Sequence, residues 1–350
     1  MTWLGDELGR IADDMPQRDL AVRAIEVYHR RRRNLIALAA AALVVVVVLG
    51  GTAAIKLTPK AARPVAPPER TVIDVGVAGT AEAAPLYVAL SKGYFAAEGL
   101  TVRPAVVHAA AAVSAMERGE LDIAQTDYVV SFVANQQNRG VKIVGGLHRA
   151  HTGTLALVVK AGSGIRTVAD LKGKKIAVPY LRGLGTLSIR AMGLRNDDVE
   201  FVETPYTAMV DGLSGGRFAA ALLAEPYVVV SVRQGRTRVL REALAREFDR
   251  LPTAGWMAAD DWIKANPRTL AAFRRALAKA QRLIAGDLAQ AVRAVQVIPP
   301  DMKVAWRDLN RLALGAFPAE LDLRGLQRLA DLALRYSVLK KRLDVRSVIR

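Results

Sequence analysis

The stretch APLYVALSKGYFAAEGL, Ala84–Leu100, puts a proline at its second position, apolar residues at Leu86, Tyr87, Val88 and Leu90, and the turn Gly93-Tyr94-Phe95 near its end. Proline at the start of a helix gives up only an N–H that the first turn leaves unpaired, so the stretch predicts a helix beginning near Pro85. On its two sides stand TVIDVGV and TVRPAVV, β-branched runs that read as strands. Strand, helix, turn and strand in this order make a βα unit.

The pattern repeats outward. A helix from Ala110, the strand LDIAQT, a helix from Tyr128 and the strand VKIVGGL complete a first set, and TGTLALVVK reads as a strand leaving it. A second set follows: KKIAVPY, the helix GTLSIRAM, VEFVETPY, the helix TAMVDGL, FAAALLAEP, a helix from Tyr227, and TRVL. Strands alternating with helices predict two α/β lobes built on largely parallel sheets. After GWMAADDW the chain reads as helical to its end, with Asn266-Pro267 as cap and first turn of a long helix reaching Gly286.

Ahead of the first strand, Leu35–Ile55 runs 21 residues without a charge. As a helix it would span about 30 Å, the thickness of a bilayer's hydrocarbon. It is longer than the apolar part of a signal peptide and GGTAAIKL is a poor cleavage site, so a retained anchor is expected. Arg30–Arg33, with Arg18 and Arg23, outnumber the basic residues that follow the run, which orients the N-terminus to the cytoplasm. KLTPKAARPVAPPER, with four prolines, reads as a semi-extended tether. The expected organisation is a cytoplasmic tail over 1–34, a transmembrane anchor over 35–55, a tether over 56–70, the first part of lobe one over 71–155, lobe two over 156–250, and a helical return to lobe one over 251–350.

Lys and Arg exceed Asp and Glu by 50 to 33, a net charge of +17 that attracts anionic solutes and surfaces in general. No basic block with interleaved aromatics occurs beyond the arginines before the apolar run, so nucleic acid is not an expected partner. The chain has no cysteine, which excludes disulfides, thiolate metal sites and thiol nucleophiles. No phosphate-cradling glycine loop or HExxH helix occurs, and no catalytic residue or cofactor is assigned.

The ordered set APLYVALSKGYFAAEGLTV, AMERGELDIA, GVKIVGG, IRTVADLKGKKIAVP and LLAEPY resembles the extracytoplasmic substrate-binding proteins of ABC importers, in the family that binds nitrate, sulfonates, taurine and thiamine-precursor pyrimidines. The resemblance implies a two-lobed, periplasmic-binding-protein-like α/β fold of type 2, closing on a small-molecule ligand about a hinge near LALVVK and the segment after Glu225. With the anchor, the expected protein is a membrane-tethered, extracytoplasmic binder that works with an ABC permease and ATPase. A related enzyme that makes the thiamine pyrimidine uses a cysteine-rich iron site, which a chain without cysteine cannot supply. An enzyme on the same fold and a ligand sensor stand as alternatives.

Ligands of open α/β sheets bind beyond the carboxyl ends of the strands. In lobe one those ends supply Thr80, Glu82, His108, Thr126, Asp127, Tyr128, His148 and His151; in lobe two, Tyr180, Arg182, Thr186, Tyr206, Glu225 and Tyr227. Three of the tyrosines follow proline: Pro179-Tyr180, Pro205-Tyr206 and Pro226-Tyr227. Aromatic faces there suit a flat ring or an organic cation, with Asp127 or Glu225 as counter-charge, though tyrosines can equally pack a lobe edge. Arg149 and Arg182 suit an acid group instead. The spacing of His148 and His151 allows a metal pair, but loop histidines that only hydrogen-bond are the commoner case and no metal site is assigned. The start of the helix at Pro85 offers free N–H groups to a polar ligand.

Overall fold

A computed structural model describes residues 66–107, 111–195, 197–298 and 304–350. The expected tail and anchor lie outside them, as do His108 and most of the tether. Among the described residues no helix is long and apolar enough to cross a membrane.

The chain runs β1 (Val72–Val77), α1 (Ala84–Ser91), α2 (Tyr94–Ala97), β2 (Thr101–Val106), α3 (Ala112–Glu117), β3 (Ile123–Asp127), α4 (Tyr128–Gln136) and β4 (Val141–Arg149) in lobe one. Lobe two holds β5 (Leu155–Lys160), β6 (Lys175–Val178), α5 (Leu184–Ala191), β7 (Glu200–Glu203), α6 (Tyr206–Ser214), β8 (Ala220–Ala224), α7 (Tyr227–Arg233) and β9 (Thr237–Glu242). Next come β10 (Pro252–Ala259), α8 (Asp260–Ala265), α9 (Pro267–Gly286), α10 (Ala289–Val295), α11 (Trp306–Leu309) and α12 (Leu323–Arg335).

The strand orders are β2-β1-β3-β10-β4 and β7-β6-β8-β5-β9. Each sheet takes one strand from chain that has just arrived from the other lobe: β5 lies antiparallel between β8 and β9, and β10 antiparallel between β3 and β4. The two crossings run side by side, for Ala150 N–H donates to Leu251 O (2.9 Å) and Ala243 N–H to Leu155 O (2.9 Å). The second crossing lies after β9, so α7 and β9 belong to lobe two as the second set had them, and the hinge falls further along the chain than the segment directly after Glu225. The expectation of an all-helical return also fails at β10. PTAGWMAA is buried on nearly every residue and so shows no alternation, the usual mark of a strand covered on both faces.

The opening stretch forms two helices rather than one. Phe95 stacks on Phe273 of α9 at 5.5 Å, and Phe273 meets Trp256 edge-on at 5.4 Å. All three are essentially inaccessible, and burying a ring of this kind contributes about 1.5 to 3 kcal/mol. The long helix α9 begins at Pro267 as expected, but Asn266 does not cap it; its side-chain amide donates to Trp262 O. Glu69 takes that place, accepting from the N–H groups of Arg268 (3.0 Å) and Thr269 (2.9 Å). Crowding by neighbouring groups would raise its carboxyl, yet these backbone donors hold it near 2. Residues 67–70 of the expected tether are thus pinned to lobe one, with Arg70 paired to buried Asp122 at 2.7 Å.

Tyr128, expected at the cleft, is a core residue. It is 2% exposed, and its ring lies where a Cβ on Gly255 would stand, 2.4 Å from Cε1. Gly255 in β10 is what lets the ring lie flat against the sheet. Gly255→Ala is therefore expected to destabilise the protein by about 1 to 3 kcal/mol, read as a lower urea midpoint with an unchanged slope.

Candidate functional site

Where the strand ends of the two lobes face each other, a narrow cavity of about 40 Å³ is lined by Thr80, Glu82, Gln125, Thr126 and Asp127 from lobe one and by Pro179, Tyr180, Leu184 and Tyr206 from lobe two. It has room for no more than a few waters. A neighbouring cavity of about 220 Å³ shares Ala78, Pro179 and Tyr206 with it and adds Val106, Val107, Pro205, Thr207 and Tyr227. Tyr206 and Tyr227 stack on each other at 5.5 Å, nearly parallel.

Lobe one's wall is a chain of polar contacts. Gln125 Nε2 donates to Glu82 Oε2 (3.2 Å) and reaches Thr80 Oγ1 (3.4 Å), while its carbonyl accepts from Ala78 N–H (3.3 Å). Behind Glu82 lies His148, 1% exposed, with Nδ1 facing Glu82 Oε1 (3.3 Å) and Thr253 Oγ1 (2.7 Å). Its Nε2 faces Leu314 O at 2.9 Å, which a carbonyl can only accept, so that nitrogen carries the hydrogen. Nδ1 then accepts from the Thr253 hydroxyl and has no hydrogen to give Glu82, so His148 stands behind Glu82 and does not line the cleft.

Asp127 joins the lobes. As the N-cap of α4 it accepts from Val130 N–H through Oδ1 (2.9 Å), and through Oδ2 it accepts from Leu184 N–H at the start of α5 in lobe two (3.2 Å). The second bond occupies a helix N-terminus, a natural seat for a ligand's negative group. A similar bond fills the N-terminal end ahead of α1, where Ala81 N–H donates to Glu225 O of lobe two (2.7 Å). In this shut form the protein's own oxygens sit where a ligand's could.

The carboxyl of Asp127 is pushed up to about 7, chiefly by burial, with the charge of Glu82 adding to it against the two N–H donors. Glu225 is likewise pushed up to about 7 by burial, opposed by the N–H groups of Val229 and Ala313. Burial also lifts the hydroxyls of Tyr180 and Tyr206 well above the ordinary value, so both stay protonated donors.

The other expected site residues lie elsewhere. Glu225 is 5% exposed and spends its carboxylate on Val229 N–H (3.0 Å) and Ala313 N–H (3.4 Å). Thr186 folds its hydroxyl onto Gly183 within the first turn of α5. Arg182 donates to Val338 O (2.8 Å), and Arg149 stands 3.7 Å from Asp322. His151 is exposed beside Asp249, and among the described residues no group of His, Asp and Glu could hold a metal ion. Gln125 was missed in the sequence; its mark there is an amide in mid-strand, one residue before Thr126.

An acid held above its ordinary value in the shut form binds more protons there than in the open or unfolded chain. The shut form is then most stable on the acid side of the window between about 4 and 7 and loses stability as pH rises through it. Glu69 and Asp260, held near 2, keep their stabilising contacts throughout that window. The melting temperature of the ligand-free protein is expected to fall between pH 5 and pH 8, and Asp127→Asn to remove part of the slope.

A sequence model of the NMT1/THI5-like family matches residues 80–291. No curated protein matches the chain. Among solved structures, the alkanesulfonate-binding protein SsuA from Xanthomonas axonopodis pv. citri, bound to MOPS, superposes with a TM-score of 0.66 at 18% identity, over 82% of this chain and 99% of that one. The periplasmic nitrate-binding protein NrtA from Synechocystis PCC 6803 gives 0.65 at 17%, over 81% and 86%. The Candida albicans CA3427 gene product, described as having the generic periplasmic binding protein fold, gives 0.65 at 13%, over 80% and 96%. At such identities these three speak to the fold, which is the two-lobed one expected. The family match spans well over half of the chain, and with the fold it places this protein in the NMT1/THI5-like family.

Proposed function

We propose that the protein is the solute-capturing component of an ABC import system. The apolar run 35–55 tethers it to the membrane with the two lobes outside the cytoplasm, and a permease and ATPase take up the solute it delivers. The family match and the likeness to solute-binding structures support this reading. The lobes part by bending at the paired crossings, and a solute replaces the bonds that Asp127 and Glu225 make across the cleft.

The observation that carries the choice of solute is the lining itself: two carboxylates, three tyrosines and no Lys or Arg among the described lining residues of the two cavities. An oxyanion could take the backbone N–H groups of Leu184 and Ala81, but it would meet Glu82 and Asp127 with no cation to offset them. A flat ring bearing amino groups fits better, its N–H groups to the carboxylates and its face to Tyr206. Of the solutes the resemblance allows, the pyrimidine class is thereby favoured over sulfonate, taurine and nitrate. The protein binds its solute and returns it unchanged, without catalysis.

Calorimetry with the purified protein tests this against an aminopyrimidine, taurine, an alkanesulfonate and nitrate. Aminopyrimidine binding is expected, weakened by about 1 to 2 kcal/mol in Tyr206→Ala, with the pyrimidine recovered intact. Binding of the sulfonate or nitrate alone would overturn the solute class, and conversion of the pyrimidine would favour the enzyme reading. For the tether, protease added outside intact cells should release the lobes by cutting within 56–65 while residues 1–34 stay protected. A mature protein beginning near residue 56 would overturn the anchor.

A further inference from the structure

The end of lobe one's sheet that lies away from the cleft carries an unbalanced positive charge. β1 and β3 are parallel and β10 runs against both β3 and β4, so β4 starts at the same end as β1 and β3. The segment after α12 is fastened to this base. Gln136, at the end of α4, accepts from Lys340 N–H (3.0 Å) and donates to Lys341 O, and Lys142, the second residue of β4, donates to Ser347 O (2.7 Å).

Other cations at this end are matched by acids: Arg70 pairs with Asp122, Arg118 with Glu120, Arg139 with Glu117 and Arg350 with Asp260. The segment 340–346, KKRLDVR, differs. Leu343 and Val345 are buried and hold it in place, while Lys340, Lys341, Arg342 and Arg346 are exposed, and none of these four side chains has an ion pair or hydrogen bond among the described residues. The one acid between them, Asp344, spends Oδ1 on the N–H of Arg346 (3.0 Å). Arg342 and Arg346 share an open groove of about 620 Å³ with Arg324, which is exposed and equally without an acid partner among the described residues, so the positive edge continues onto α12.

The chain enters lobe one at the same end. Arg70 stands just ahead of β1, its partner Asp122 just ahead of β3, and Pro67 O accepts from Arg268 Nε (2.8 Å). Residues 56–66 separate the apolar run from this pinned stretch, and in the extended form that prolines favour they reach about 35 Å. We propose that the base of lobe one is a docking face for an anionic phospholipid surface, with Lys340, Lys341, Arg342 and Arg346 set among the lipid phosphates and the cleft directed away from the bilayer. The proposal rests on the membrane tether to bring this face within reach. The contact itself is charge matching, effective within a screening length of about 10 Å.

The test uses the full chain in lipid vesicles with a dye on a single introduced cysteine, since the native chain has none. Gln137→Cys puts the donor dye at the base beside the patch, Thr207→Cys puts it at the cleft mouth, and lipid headgroups carry the acceptor. Replacing about a third of neutral phosphatidylcholine by phosphatidylglycerol is expected to raise energy transfer from Gln137→Cys about twofold and to leave Thr207→Cys near its value, and about 1 M salt should erase the rise. Lys340→Gln, Lys341→Gln, Arg342→Gln and Arg346→Gln made together should remove the rise, with the melting curve unchanged because all four side chains are exposed. The same charge taken from exposed positions of lobe two, by Lys160→Gln, Arg166→Gln, Lys174→Gln and Arg195→Gln, should leave it. Flotation with neutral vesicles reads the tether alone, so a failed tether and a failed patch are told apart. Transfer indifferent to lipid charge, as an acidic protein partner in place of a membrane would give, a rise that survives the base variant, or a rise lost equally in the lobe-two variant would each overturn the assignment.

Discussion

Each lobe takes into its sheet a strand that has just crossed from the other. β5 and β10 sit inside their sheets, hydrogen-bonded on both sides; lobe two's sheet is built from the continuous run β5 to β9, whereas lobe one's is incomplete until the chain has crossed and returned with β10. The two crossings are tied to each other at Ala150 and Leu251, close to where β4 ends and β10 begins. Two adjacent strands of backbone can bend together while the sheets at either end stay rigid. That is the mechanical condition for two bodies that move about one axis and keep their own cores.

Such an arrangement puts the carboxyl ends of the parallel strands of both lobes at the same gap, and what fills the gap decides what the protein recognises. The shut form fills it with acids. Asp127 spans it to the start of α5, Glu82 stands beside it, and the Glu225 carbonyl crosses to Ala81. Burying Asp127 costs free energy that its backbone N–H partners only partly offset, and the charge of the partly exposed Glu82 beside it adds to that cost, so the lobes shut on themselves against an electrostatic opposition. A solute that brings hydrogen-bond donors removes the opposition. One that brings another negative charge increases it.

Much of the fold could be read before the structure. The alternation of β-branched runs and amphipathic helices located the strands of both lobes through β9, and Pro267 marked the first turn of α9. β10 could not be read, because a strand buried on both faces has no period, and PTAGWMAA contains two alanines at its end that suit a helix equally. The cleft was partly legible: strand ends point to Thr80, Glu82, Asp127, Tyr180 and Tyr206, which line the cavity. The same rule cannot tell which way a side chain leaves the strand end. Tyr128 turns into the core under Gly255, His148 stands behind Glu82, and Arg182 reaches for Val338, each set by contacts between residues far apart in the chain. Gln125 escaped for the same reason in reverse: its amide lies within a buried strand, and only the third dimension reveals that it faces Thr80 and Glu82.

The net charge of +17 and the acidic cleft are reconciled by where the charge lies. Many of the basic side chains are exposed and paired on the surface, as Arg275 and Lys279 are with Glu98 and Arg350 with Asp260. Exposed charges attract from a distance but are screened within about 10 Å at ordinary salt, whereas Glu82 and Asp127 act across a few ångströms inside a shut gap. The surface can therefore draw anions toward the protein, while the described lining of the cleft presents carboxylates and no Lys or Arg. Under the proposed reading, selection rests with the short-range groups: a solute would be kept when its donors meet these carboxylates and its ring meets Tyr206, whatever the sign of the field through which it arrived.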